Sequence, residues 1–127
     1  MQPFEFSIAP RFYETDAQGH INNATLAAWF EVARTRFLES VLDGDGPAPT
    51  EWMLASVHID YLGETFFGED VQLRIVEASV GNSSLTVSCE MWQEERHTVR
   101  GKAVLVHFDR ETQSSKRIPD SLRERLA

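Results

Sequence analysis

Between Leu26 and Val41 the apolar residues return at steps of three and four: Leu26, Phe30, Ala33, Phe37 and Val41, flanked by Ala27, Arg34 and Leu38. That spacing puts them on one broad face of a helix, which it predicts from about Asn23 to Leu42. Asn22 or Asn23 can cap its start, because a short side-chain carbonyl accepts from the exposed N–H groups of a first turn. Gly44 can stop it, inside the turn-rich stretch Asp43-Gly-Asp-Gly-Pro-Ala-Pro49. Beyond that stretch the period becomes two. Ala55, Val57, Ile59 and Tyr61 alternate with Ser56, His58 and Asp60; Val71, Leu73 and Ile75 alternate with Gln72 and Arg74; Leu85, Val87, Cys89 and Met91 alternate with Thr86, Ser88 and Glu90. Each run predicts a strand with one buried face. Gly81-Asn82-Ser83-Ser84 predicts the hairpin between two of them. A further strand, about His97 to Phe108, is apolar on both faces at Ala103-Val-Leu-Val106, which points to packing against another subunit. Pro119 to Leu126 reads as a short charged helix with Pro in its first turn.

With one strand ahead of the long helix, the order predicts an α+β fold: a five-stranded antiparallel sheet, one long helix on one face, and a short C-terminal helix. The 127 residues suffice for one core and are too few for two, and they contain no repeat or linker, so residues 1–127 are expected to form a single domain. The net charge of −8, with basic residues scattered among acids, argues against a nucleic-acid partner. No apolar run exceeds the five residues Leu26 to Phe30, so no membrane span is expected. Met1-Gln-Pro-Phe-Glu5 lacks a signal-peptide pattern and Cys89 is the single cysteine, which together suggest a cytoplasmic protein. No metal-ligand spacing links His58, His97 and His107.

The chemistry-bearing stretch is Arg11-Phe-Tyr-Glu-Thr-Asp16-Ala-Gln-Gly19-His20-Ile-Asn22-Asn23, between the first strand and the long helix. A helix start offers unpaired N–H groups and a positive dipole end, suited to an oxyanion. A carboxylate just before it can attack a carbonyl or take a proton from water. Gly19 permits a tight bend between the two. An Asp at this spacing also serves as an ordinary turn or capping residue, and Asn22 and Asn23 share that second meaning.

Asp16, Gly19, His20, Asn22 and Asn23, followed on the helix by Glu31 and Arg34, resemble the 4-hydroxybenzoyl-CoA thioesterase family, including its YbgC-type acyl-CoA thioesterases. Ile59-Asp-Tyr-Leu62, Gly68-Glu-Asp-Val71 and Gly81-Asn-Ser-Ser84 resemble its strand and turn positions, so the likeness runs from about Phe4 to Leu126. The resemblance implies a hot-dog fold, a homodimer joined edge to edge or a dimer of dimers, and a site at the subunit interface. It implies an acyl-CoA thioesterase with Asp16 as nucleophile or general base, needing no cofactor beyond the CoA of its substrate. It implies substrate contacts at Tyr13, Gly19, His20, Asn22, Asn23, Ile59, Asn82, Ser83 and Ser84. The chain departs from the family at Leu26, where Tyr is common, and at the neutral turn Gly81 to Ser84, which is basic in the hydroxybenzoyl-CoA enzyme.

Glu31 is a rival carboxylate, since some hot-dog thioesterases use one on the helix; three residues before Arg34, it is expected instead to form an intrahelical ion pair. A non-catalytic dimer that binds an acyl thioester, a thioesterase acting on acyl carrier protein, and a hot-dog dehydratase are the other readings. The dehydratase is the weakest, because Asp16 and His20 lack the usual spacing of its His–Asp pair.

Overall fold

A computed structural model of the chain describes residues 4–16, 18–42 and 51–126. In chain order these form β1 (Phe4–Ile8), a 3-10 turn (Phe12–Glu14), α1 (Asn23–Leu42), β2 (Trp52–Tyr61), β3 (Val71–Val80), β4 (Ser84–Gln93), β5 (Arg96–Asp109), β6 (Ser114–Ser115) and α2 (Asp120–Leu126). The Gly44 stop and the Asp43–Pro49 loop lie outside the described residues. Five strands pair antiparallel in the order β1-β3-β4-β5-β2, as the alternation predicts. A sixth, β6, adds two residues beside the end of β5; Ser114-Ser115 carries no apolar alternation to announce it.

α1 lies over β3 and β4. Leu26, Phe30, Ala33 and Phe37 from the helix meet Leu73, Ile75, Leu85, Val87 and Met91 from the sheet, and α2 closes the core with Leu122 and Leu126. Two bulges modify the alternation. The β2 register shifts between Leu54 and Ser56, so Ala55 drops out and Leu54, opposite Leu105, takes the helix-side position. The β3 register shifts between Ile75 and Glu77, leaving Val76 exposed and turning Ala78 and Val80 inward.

The solvent face carries charge in register. Glu5, Arg74, Glu90, Arg100 and Asp60 are successive cross-strand neighbours and alternate in sign. Arg100 Nη2 donates to Asp60 Oδ2 at 2.8 Å, and Arg74 Nε lies 3.1 Å from Glu5 Oε2, a charge contact without hydrogen-bond alignment. Hydrogen bonds from Arg100 and then His58 hold the Asp60 carboxyl below its ordinary value.

Among the described residues the end strands β1 and β2 each pair on one side only. β2 carries large apolar side chains on both faces, and Met53, Leu54, Val57 and Tyr61 are each at least 44% exposed. On β5, Ala103 and Leu105 are buried toward the helix while Val104 and Val106 on the other face are half-buried. One expectation on α1 is corrected. Glu31 and Arg34 form no ion pair among the described residues: Glu31 is exposed, whereas Arg34 turns under the helix and is 8% exposed beside Phe30 and Val57. Burial lowers the affinity of its guanidinium for a proton, against the opposing charge of Glu31.

Gly101 sets how closely α1 can approach β5. A Cβ built there would lie 2.8 Å from Phe30 Cε2, a ring atom held in the core. Gly101→Ala is therefore expected to overpack the helix–sheet contact and cost about 1–3 kcal/mol in urea unfolding. Unchanged stability would contradict this packing.

Candidate active site

The loop that carries Asp16 is pinned to the helix before it reaches that residue. Glu14, at the end of the 3-10 turn, is 8% exposed. Its Oε1 accepts from the Arg11 N–H at 2.7 Å, and its Oε2 accepts from Trp29 Nε1 on α1 at 3.2 Å. Its carbonyl accepts the Asn22 N–H at 3.1 Å. The chain then closes on itself: Asp16 N–H donates to the His20 carbonyl at 2.7 Å, and Gly19 N–H to the Asp16 carbonyl at 3.3 Å. Gly19 has φ +81, a left-handed conformation that disfavours other residues.

Asp16 divides its two oxygens. Oδ1 accepts the N–H groups of Gln18 (2.8 Å) and His20 (3.2 Å), the Asx turn expected of an ordinary turn aspartate. Oδ2 makes no hydrogen bond among the described residues and remains available for chemistry. Immediately downstream, Asn22 caps α1 by accepting the Thr25 N–H on its Oδ1 at 2.8 Å. The N–H groups of Asn23 and Ala24 have no acceptor among the described residues, so the positive end of a 20-residue helix opens with two free donors.

The opposite wall comes from the end of β2 and the segment after it. Tyr61 Oη donates to the Asn23 carbonyl at 3.3 Å, His20 Nε2 lies 3.2 Å from Glu64 Oε2, and the Ile21 N–H donates to the Thr65 carbonyl at 2.8 Å. Between the walls is a cavity of about 440 Å³, lined by Asp16, His20, Asn22, Asn23, Leu26, Tyr61, Glu64 and Thr65 among others. A second depression, about 300 Å³ on the outer sheet face, is bordered by His58, Asp60, Arg100 and Lys102. There Asp60 already pairs with both His58 and Arg100, and no helix end faces it. A free carboxylate oxygen beside unpaired helix N–H groups makes the first cavity the candidate site. No group of three His, Cys, Asp or Glu side chains among the described residues is placed to hold a metal ion, and no described helix is long and apolar enough to cross a membrane.

The family model of the thioesterase-like superfamily matches residues 10–126. The chain belongs to that superfamily. The resemblance read from the Asp16 motif is thus borne out at this level, and the fold is the hot-dog arrangement of a thioesterase-like protein. A protein from Bacillus stearothermophilus described as a predicted thioesterase is 31% identical, with a TM-score of 0.88 over 98% of this chain and 94% of its own. A Thermus thermophilus thioesterase solved with coenzyme A and zinc is 24% identical, with a TM-score of 0.82 over 96% of this chain and 90% of its own, and shares the fold. The uncharacterized Bacillus subtilis protein YsmA is 32% identical over 80 residues, 63% of this chain and 54% of its own length, so the match spans about half of that relative.

Within this thioesterase-like fold, Asp16, His20, Asn22 and Asn23 gather at one cavity and Gly19 shapes their loop. Tyr13 stands apart from the lining: it is 74% exposed, and its hydroxyl accepts from Arg11 Nη1 at 2.9 Å. Ile59 packs partly buried against the core, two residues before Tyr61 on the same face of β2. Asn82, Ser83 and Ser84 lie at the far end of the strands. Ser84 pairs with Val106, whereas Met91 and Val99 share the rung of Tyr61, seven residues away along both β4 and β5, or about 23 Å.

Sequence reasoning missed Glu14, Tyr61, Glu64 and Thr65. Tyr61 was legible, since it shares its face with Ile59. Glu64 and Thr65 fall in an irregular segment, and nothing in their spacing marks them. It also missed Arg123 on α2, which donates from Nη2 to the carbonyls of Gly81 (2.6 Å) and Asn82 (2.9 Å) and so brings a cation to a turn without one of its own.

Cys89, on the helix side of β4, plays no part in the site. Burial pushes its thiol up to about 12, against the opposing charge of Arg34. It is expected to stay unreactive toward a disulfide reagent at pH 8 until the protein is denatured. Rapid labelling of the native protein would contradict its burial.

Proposed function

We propose that this chain is an acyl-CoA thioesterase of the YbgC-like kind, hydrolysing an acyl thioester to free acid and CoA with Asp16 as its carboxylate. The observation that carries the reading is that Asp16, with a free Oδ2, and Asn23, with an unpaired N–H, line one cavity of a thioesterase-like fold, the unpaired Ala24 N–H following on the same helix start. With the thioester oxygen at those N–H groups, negative charge developing on it meets preorganised donors and a helix dipole. Asp16 then acts in one of two balanced ways. As a base it takes a proton from water while the resulting hydroxide adds to the carbonyl carbon; as a nucleophile it adds itself, giving an anhydride that water opens. Either route breaks the C–S bond, and the departing thiolate leaves as CoA once protonated. A Thermus thermophilus thioesterase of the same fold was solved with coenzyme A and zinc, which supports CoA as the thiol carrier here. Arg123 beside the Gly81–Ser84 turn supports a phosphate contact where that turn is neutral.

The active form is a homodimer, or a dimer of dimers, joined through β2. Its open edge and apolar faces need cover, and closed two-fold pairing supplies it. Antiparallel pairing of two β2 strands brings opposite strand ends together. The partner's hairpin turn, with Asn82 to Ser84, then falls at the same end as Asp16, which reconciles substrate contacts that one chain holds about 23 Å apart. We place the protein in the cytoplasm.

Thiol release from short, long and aromatic acyl-CoAs should be rapid for at least one substrate with wild type, and at least 100-fold slower with Asp16→Asn, whose amide oxygen can still close the Asx turn. Equal turnover by the two proteins would remove Asp16 from the chemistry. Binding without hydrolysis would instead favour the non-catalytic reading. Light scattering at micromolar concentration should give twice or four times the chain mass, and a monomer would contradict the assembly.

A further inference from the structure

The geometry points to Thr65 as a further substrate-contacting residue, whose hydroxyl donates a hydrogen bond to an oxygen of the bound acyl thioester; this rests on the thioesterase reading above. Thr65 is 2% exposed, and its Oγ1 is buried with no hydrogen-bond partner. Among the described residues, it is the one buried side-chain polar atom of the cavity lining left in that state. A buried hydroxyl without a partner costs stability, so its presence asks for a partner that the free chain lacks.

Most neighbouring polar groups are committed elsewhere, and the two that are not, Asp16 Oδ2 and the Asn23 N–H, make no hydrogen bond to Thr65. Asp16 Oδ1 and Asn22 Oδ1 accept backbone N–H groups, Tyr61 Oη donates to the Asn23 carbonyl, and Glu64 faces His20. The backbone that carries Thr65 is fixed on both sides. Arg96 Nη1 donates to the Glu64 carbonyl at 3.0 Å, the Ile21 N–H to the Thr65 carbonyl at 2.8 Å, and Gln93 Nε2 to the Phe66 carbonyl at 2.7 Å. Gln93 is itself fully buried, and its Oε1 accepts the Phe66 N–H at 2.9 Å. The Thr65 backbone is therefore held on the wall facing the loop of Asp16, while its hydroxyl, bonded to nothing, can turn about χ1 toward the cavity. A thioester has no N–H or O–H of its own near the reacting carbon and offers oxygen as an acceptor, so a hydroxyl is the complementary group.

Thr65→Val keeps the shape and removes the hydroxyl. It should lower kcat/KM for the best acyl-CoA by about tenfold, while the melting temperature holds or rises because a buried unpaired group has gone. Thr65→Ser should stay near wild type. If Thr65→Val fails to fold, the comparison of Thr65→Ser with Thr65→Ala reads the same hydroxyl on a smaller side chain. A fall of fivefold or more on losing the hydroxyl, rescued by Ser, supports the assignment; a smaller fall overturns it. Affinity for S-(2-oxopropyl)-CoA, which keeps the carbonyl but has no thioester bond, separates this inference from the reading beneath it. If wild type binds the analogue but hydrolyses nothing, the hydrolase reading fails, and the Thr65→Val affinity decides Thr65 on the same fivefold criterion. If wild type binds none, both fail.

Discussion

The site depends on one buried carboxylate that takes no part in its chemistry. Glu14 accepts from Trp29 on the helix and from the backbone of its own turn, and so ties the strand-to-helix connection onto α1. A carboxylate that is nine-tenths buried is costly unless its oxygens are satisfied, and here each has a donor. That requirement holds the chain against the start of α1. The tight loop from Asp16 to His20, with Gly19 in its left-handed conformation, then has little freedom left. Asp16 arrives with one oxygen spent on the loop and the other free, beside a helix end whose first N–H groups are free as well. Structural and chemical roles are thus divided between the two oxygens of one side chain, and the two readings of that aspartate are compatible.

A second constraint is how far the helix reaches across the sheet. α1 covers β3 and β4 and leaves much of the helix side of β2 exposed, with Leu54, Val57 and Tyr61 in the open and, among the described residues, no strand on its outer edge. The cavity lies at this uncovered margin, since Tyr61 is both the last residue of β2 and part of the cavity wall. The surface that calls for a partner and the surface that would receive a substrate are therefore continuous. A dimer seated on β2 would complete both at once.

The long helix was legible to the residue at its start, because the three-and-four spacing of Leu26, Phe30, Ala33 and Phe37 has one physical solution and Asn22 is a strong cap. The strands were legible from their alternation, but the bulges were not: Ala55 fits the period and falls out of register, since a bulge depends on the partner strand as well as on its own sequence. The Glu31–Arg34 pair failed for a related reason. Helical spacing brings the two side chains near one another, yet packing against the sheet draws Arg34 inward. Of the site, the half that lies on the Asp16 loop was readable because its residues are contiguous and their chemistry is local. The half formed by Tyr61, Glu64 and Thr65 is brought in by strand pairing more than forty residues along the chain, and only Tyr61 left a mark in the pattern.

The central claim is that the acyl carbonyl sits at the start of α1. Amide NMR of the protein titrated with S-(2-oxopropyl)-CoA tests it directly, since the N–H groups of Asn23 and Ala24 report any oxygen that they bind. Downfield shifts concentrated at Asn23 and Ala24 and extending into Gln18 to His20 are the predicted result. Saturable shifts confined to the outer sheet face around His58 and Arg100, with Asn23 and Ala24 unmoved, would contradict the account.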